Sequence, residues 1–314
     1  MKILIRSLKY QKQLRMYLFA IDNQEELQEG ITRVLKEQYE YITYLATIPK
    51  DIDHTVHEIR KALKRIRAIF RLVRWDIGEQ LFQRENIKFR DLARQLSDLR
   101  DFHVIISYLA ANFEAQELRI EESAYIRLVE HLNQKKETEL KHIIEKQTLE
   151  TIKEHMAIAK EELSAYPFDF LGPHTIRQGV TNTYSQCLDK IAESQLKLED
   201  LPLHELRKRV KYLLNQMSLI QEVWPDFFKN YATSLKRASD LLGDDHNISE
   251  TVTMMNKLPE AILSISDRAS LTKSMEAERE HIHREVWPLL GKLFTEDADT
   301  FVKRITSYWL ISRE

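Results

Sequence analysis

The chain has 314 residues with 47 Lys or Arg against 49 Asp or Glu, a formal net charge of −2, which excludes a protein that is basic all over. With 43% hydrophobic and 31% charged residues it has the make-up of a folded chain, long enough for two domains or for one large domain of two halves. Cys187 is the only cysteine, which excludes an intrachain disulfide and points to a reducing, cytoplasmic setting.

Lys2, Arg6, Lys9, Lys12 and Arg15 interrupt the N-terminal apolar residues, and no later stretch approaches 18 apolar residues in a row. Neither a signal peptide nor a membrane span is expected. Apolar residues recur at three- and four-residue spacing, and glycine and proline are scarce, so the fold class expected is all-α. In chain order, helices are predicted at 24–46, 51–76, 78–112, 116–146 and 148–165, then 174–198, 202–224, 225–243, 246–257, 260–286 and 297–311. The breaks fall at Pro49, Gly78, the Tyr166–Pro173 stretch, Pro202, Pro225, Gly243, Pro259 and Pro288. Asp51 or Asp53, and Asp200, are the expected N-caps of the second and seventh helices. The Tyr166–Pro173 stretch divides the chain into halves expected at 20–165 and 166–314.

The halves share an internal repeat. His57-Glu-Ile-Arg-Lys61 recurs as His204-Glu-Leu-Arg-Lys208, with Lys64 against Lys211 and Ile66 against Leu213, at an offset of 147. Leu96-Ser-Asp-Leu-Arg-Asp101 matches Leu242-Gly-Asp-Asp-His-Asn247 at an offset of 146. Two separate matches at nearly one offset indicate a duplication.

Charge is concentrated at the first repeat: His57 to Arg74 holds seven Lys or Arg and a single acid, Glu58. On a helix turning 100° per residue from His57, residues Arg60, Lys61, Lys64, Arg67, Arg71 and Arg74 fall between about 260° and 40°. Ile59, Ala62, Leu63, Ile66, Ile69, Phe70 and Val73 fall between about 120° and 240°. One helix thus carries an apolar face and a separate cationic stripe. Like charges at these spacings repel by a few tenths of a kcal/mol per pair, and no acid lies on the stripe. An external anion explains such a stripe; acids on a neighbouring helix are the plainer explanation. His204, Arg207, Lys208 and Lys211 rebuild the start of the stripe, and two facing stripes would make a cationic groove. The histidines are either structural or anion-contacting, and charging them would strengthen anion binding below about pH 6.5. Asp101 either buttresses an arginine of the stripe or caps a helix.

At these residues the chain resembles the conserved histidine α-helical domain, or CHAD, family. That family shows a His-x-x-Arg-x-x-x-[Arg/Lys]-Arg-x-Arg helix, then a Leu-Gly-x-x-Arg-Asp-x-x-Val element, then a degenerate second copy. Here the first reads His57-Glu-Ile-Arg60-Lys-Ala-Leu-Lys64-Arg65-Ile-Arg67, and the second Leu96-Ser-Asp-Leu-Arg100-Asp101-Phe-His-Val104, with Ser97 in place of glycine. The second copy matches at His204, Arg207 and Lys211 and departs at Leu214 and Asn215, where the family tends to have a Lys-Arg-Leu-Arg-Tyr run.

The resemblance implies two helical bundles related by a pseudo-twofold around a basic groove or pore, and binding of inorganic polyphosphate without hydrolysis. The expected contacts are His57, Arg60, Lys61, Lys64, Arg65, Arg67, Arg71 and Arg74, with Arg90 and Arg100, and from the second half His204, Arg207, Lys208, Lys211 and Lys236. The site should be richer on the 57–74 helix. No cofactor, metal or membrane partner is expected, and association with polyphosphate granules in the cytoplasm is.

Other chemistry finds little support. The chain has no Gly-rich phosphate loop and no Cys-x-x-Cys or His-Glu-x-x-His motif. His281 and His283, near Glu285, point about 200° apart on a helix and are not expected to bind metal. Asp98 and Asp101 are weak candidates for the Mg²⁺ ligands a phosphohydrolase would need. A nucleic-acid reader would interleave aromatic residues with the cations, and the stripe has none. Docking of an acidic protein is the remaining alternative.

Overall fold

A computed structural model describes residues 19–49, 51–115, 118, 120–196 and 200–313. Among the described residues the chain is helical with no strand. The helices are α1 (Leu27–Thr47), α2 (Ile52–Leu72), α3 (Arg74–Ile77), α4 (Glu79–Arg94), α5 (Ser97–Glu114), α6 (Glu122–Glu145), α7 (Thr148–Glu162), α8 (Pro173–Leu196), α9 (Asp200–Leu219), α10 (Pro225–Met255), α11 (Ile265–Leu293) and α12 (Ala298–Ile311). Short 3₁₀ turns follow α7 and α9.

The helix at the centre of the sequence argument, α2, starts where expected. Asp51 accepts from the backbone amides of Asp53 and His54 at 2.9 and 3.4 Å, a cap worth about 1 kcal/mol. All seven residues of its predicted apolar face are fully buried. Each such burial contributes roughly 1.5–3 kcal/mol, which outweighs the few tenths lost per pair of repelling cations. Core burial therefore holds the stripe together with or without an anion. At its C-terminal end α2 meets α8 backbone to backbone: a Cβ on Gly179 would lie 2.3 Å from the Leu72 carbonyl oxygen.

Several predicted boundaries move. The 51–76 helix breaks at Val73 into α2 and α3, and the 78–112 helix breaks at Leu96 into α4 and α5. Neither position carries a glycine or proline signal; tertiary packing makes the turn. Gly243 and Pro288, expected as breaks, lie inside α10 and α11. Leu242 and Ile248 on either side of Gly243, and Val286 and Leu290 beside Pro288, are buried, and that packing offsets the weak helix propensity. Pro202 sits in the first turn of α9, where its missing amide goes unused. The predicted cap Asp200 is the first helical residue of α9. The N-terminal basic residues Lys2 to Arg15 lie outside the described residues.

Two apolar cores form. The larger joins α1, α2, α4, α7, α8, α9 and α12, and the smaller joins parts of α5, α6, α10 and α11. Both draw residues from before and after the Tyr166–Pro173 stretch. α5 runs from one core to the other, with Leu99 in the larger and Ile105 in the smaller. α10 does the same, with Leu242 in the larger and Ile248 in the smaller.

Candidate functional site

α2 and α9 pack against each other, so the two copies of the His-Glu-x-Arg-Lys motif come together. Lys64 of α2 lies in the field of Arg207 and Lys211 of α9, and Lys211 feels Lys61 in turn. The Arg67 and Arg71 guanidinium carbons sit 6.0 and 4.2 Å from the centre of the Tyr212 ring. Helix α4 places Arg90 beside Arg67, and α5 places Arg100 beside His57 and Arg60. From α10, Lys236 stands near Lys211 and His246 near His204. The result is a cationic cluster along the contact of α2 and α9.

The edge of this cluster is neutralised locally. Glu58 pairs with Lys61 at 3.1 Å, and its counterpart Glu205 pairs with Lys208 at 2.7 Å. Arg74 pairs with Glu79, Arg90 with Asp91, and Lys236 with Asp240. The expectation that no acid relieves the stripe therefore fails at Lys61 and at Arg74. Glu58 stands off the stripe, yet a residue three positions away on a helix is a neighbour.

The centre differs. Among the described residues Lys64, Arg67, Arg71, Arg100, Arg207 and Lys211 have no ion pair, although each is at least partly buried. Arg67 and Arg71 both donate to the Asn86 side-chain oxygen, at 3.1 and 3.3 Å. The buried Nε of Arg207 has no hydrogen-bond partner. Arg60 is committed to the fold, donating from Nη1 to the Ala93 carbonyl at 2.6 Å and to Ser97 Oγ at 2.8 Å.

Two expected contacts leave the cluster. Arg65, one residue after Lys64, is turned 100° away; it lies over the Phe19 ring at 5.0 Å, in the field of Glu58 and Tyr41. Arg74 belongs to α3 because the helix breaks at Val73, and it stacks on Trp75 and Phe82 while bound to Glu79.

Burial sets the protonation of the site. It pushes the Lys64 ammonium down to about 7, with Arg207, Arg60 and Lys211 adding to the effect and Asp101 opposing it. Lys211 is lowered by burial too. Burial raises the Asp101 carboxyl, which Arg60 pulls back down while Asp98 and Glu250 push it up. Asp101 acts on Arg60 and Lys64 as a counter-charge without an ion pair to either. His57 is lowered by burial and by Arg100.

His204 and His246 touch, Nδ1 to Nδ1, at 3.1 Å. Burial and the neighbouring cations bring them to about 4 and about 3 respectively. The expected charging of the second-half histidine near pH 6.5 therefore moves well below that value in the free protein.

Sequence reasoning missed Tyr212, Asn86 and His246. A signal existed for His246, which stands opposite Arg100 in the repeat: His246 touches His204, and the charge of Arg100 acts on His57. Tyr212 is buried and comes from the other half, so nothing on α2 announces it. Leu214 and Asn215, where the second copy departs from the family run, are buried. His281 and His283 lie on Glu285 and Asp245, and Asp245 also acts on His246.

The CHAD domain family model matches residues 33–256. No curated protein matches the chain. The crystal structure of the CHAD domain from the plant Ricinus communis is similar in fold, with a TM-score of 0.58 at 16% identity, covering 86% of this chain and 93% of that one. With the family model spanning well over half its length, the chain belongs to the CHAD domain family.

Proposed function

We propose that this protein binds inorganic polyphosphate along the α2–α9 cluster without hydrolysing it. The observation that carries the reading is Lys64, an amine in the company of Arg60, Arg207 and Lys211 with no ion pair of its own. A linear anion with a charge on every phosphate supplies the missing counter-charge along the whole cluster, with Arg giving paired contacts to phosphate oxygens and Lys point charge. Membership of the CHAD domain family supports the same ligand.

A base-stacking ligand fits less well, because Tyr212, the cluster's central ring, is buried beneath Arg67 and Arg71. Phosphoryl transfer needs metal beside the phosphates, and among the described residues no three His, Cys, Asp or Glu side chains gather as a metal site. On this reading the protein works in the cytoplasm, at polyphosphate granules. Cys187, a buried free thiol, fits a reducing compartment, and no helix among the described residues is long and apolar enough to cross a membrane.

The test is a binding titration with polyphosphates of graded length at two salt concentrations, with single-stranded DNA and a small acidic protein as competitors. Affinity should rise with length until the cluster is covered, and neither competitor should displace the ligand at equal charge. Tighter binding of DNA or of the acidic protein would replace the polyphosphate reading with that partner.

A further inference from the structure

A cavity of about 210 Å³ is lined by residues of α5 and α6, and by the C-terminal end of α10 with the turn after it. α5 packs against both of the other helices. The apolar wall of the cavity is Phe102, Leu132, Met254 and Leu258, all in or against the smaller core. Leu132 is fully buried, whereas the other three are only partly so, which leaves apolar surface uncovered. The polar side carries two lysines, Lys135 and Lys257, with His131 and a single acid, Glu250. Among the described residues none of these four side chains has a hydrogen bond or an ion pair.

We propose that this cavity binds a small organic acid, an apolar body of one or two rings ending in a carboxylate. The body covers Phe102, Met254 and Leu258 and takes their surface out of water. Two ammoniums against one carboxylate make the polar side cationic, which selects an acid over an amine or a neutral amide of the same shape. The volume lies below the roughly 300–1,000 Å³ of pockets for drug-sized ligands, which keeps the occupant small. A bare phosphate chain has nothing to set against the apolar wall, so this ligand is of a different class from polyphosphate.

The proposal does not rest on the polyphosphate reading. The cavity and the cationic cluster are neighbours on α5: the charge of Asp101 acts on Arg60 and Lys64, and the next residue, Phe102, lines the cavity. Glu250 lines it as well, and its charge acts on Asp101.

The experiment is an NMR titration of the full chain, labelled with ¹³C at the methionine methyl groups, with naphthoate, its neutral counterpart naphthamide, and naphthylmethylamine. The Met254 signal is assigned by its loss in Met254→Leu. Naphthoate should shift that methyl saturably through its ring current while Met156 and Met217, buried in the larger core, stay in place. Naphthamide should bind several-fold more weakly, and the amine more weakly still. Lys135→Gln with Lys257→Gln should bring naphthoate down to the naphthamide level, with the helical circular dichroism unchanged. An unmoved Met254 methyl, an amide or amine that binds as tightly as naphthoate, or undiminished naphthoate binding in the double variant would overturn the proposal. A Met254 methyl shifted by polyphosphate alone would assign the cavity to the polyanion and overturn it too.

Discussion

The Arg60 guanidinium donates to the Ser97 hydroxyl at 2.8 Å, and the repeat partner of Arg60, Arg207, lies against the repeat partner of Ser97, Gly243. A Cβ at Gly243 would stand 3.3 Å from Arg207 Nε. The same contact is thus made twice, once by a hydrogen bond and once by close approach. The acid two positions after Leu96 or Leu242 recurs as well: Asp98 acts on Arg60 and Asp244 on Arg207.

Gly243→Ala should move the Arg207 guanidinium and weaken polyphosphate binding several-fold. Alanine inside a helix is worth about 0.5–1 kcal/mol over glycine, so the fold should lose nothing. Ser97→Gly should instead lower stability by about 1 kcal/mol through the lost hydrogen bond and the helical glycine, read from the urea midpoint. Equal binding by wild type and Gly243→Ala would remove Arg207 from the site.

Changing Arg60, Lys64 and Arg67 together to Ala should flatten the dependence of log affinity on log salt by about two units. The guide is the slope of roughly 0.7 per phosphate known for single strands. The change at Arg207, Lys208 and Lys211 should weaken binding less, because that stripe is shorter. The first triple also affects the fold: Arg60→Ala releases the Ala93 carbonyl and Ser97 Oγ, at about 1–3 kcal/mol. Lys64→Ala alone separates binding from stability. Equal binding losses in the two triples would rule out a site richer on α2.

Lys64 also predicts a pH dependence. Its folded value of about 7 lies below the unfolded one near 10.4, so between these pH values the unfolded chain holds more protons and stability from this group rises with pH. Lys64→Met should therefore stabilise the protein most below pH 7, with the gain fading toward pH 10. Thermal melts across that range check it. Bound polyphosphate raises the Lys64 value, so binding at pH 8 should take up protons, measurable as a buffer-dependent heat.

His204 and His246 titrate at about 4 and about 3, below the ordinary value near 6.5. Each contributes stability that is complete above pH 6.5 and is lost as pH falls toward 4. His246→Phe should flatten the acid limb of the stability curve. Imidazole NMR shifts should show both values rising when polyphosphate covers the cluster. Values near 6.5 in the free protein would contradict the burial and cation contacts described.

The sequence by itself determined the helical class, the cap at Asp51, the apolar face of α2 and the repeat that pairs His57 with His204. These follow from 3.6-residue periodicity and local side-chain chemistry, which act within one element. Only the tertiary structure decided which cations remain unpaired. Arg65 turns to Phe19 across the fold and Arg60 is bound to the end of α4, whereas the pairing of Lys61 with Glu58 is local to α2. Lys64 is lowered first by burial and then by the like charges of Arg207 and Lys211 on α9, which stand 143 and 147 residues along the chain. The breaks at Val73 and Leu96, and their absence at Gly243 and Pro288, have the same origin: long-range burial outweighed a local preference of about a kcal/mol at Gly243 and about three at Pro288.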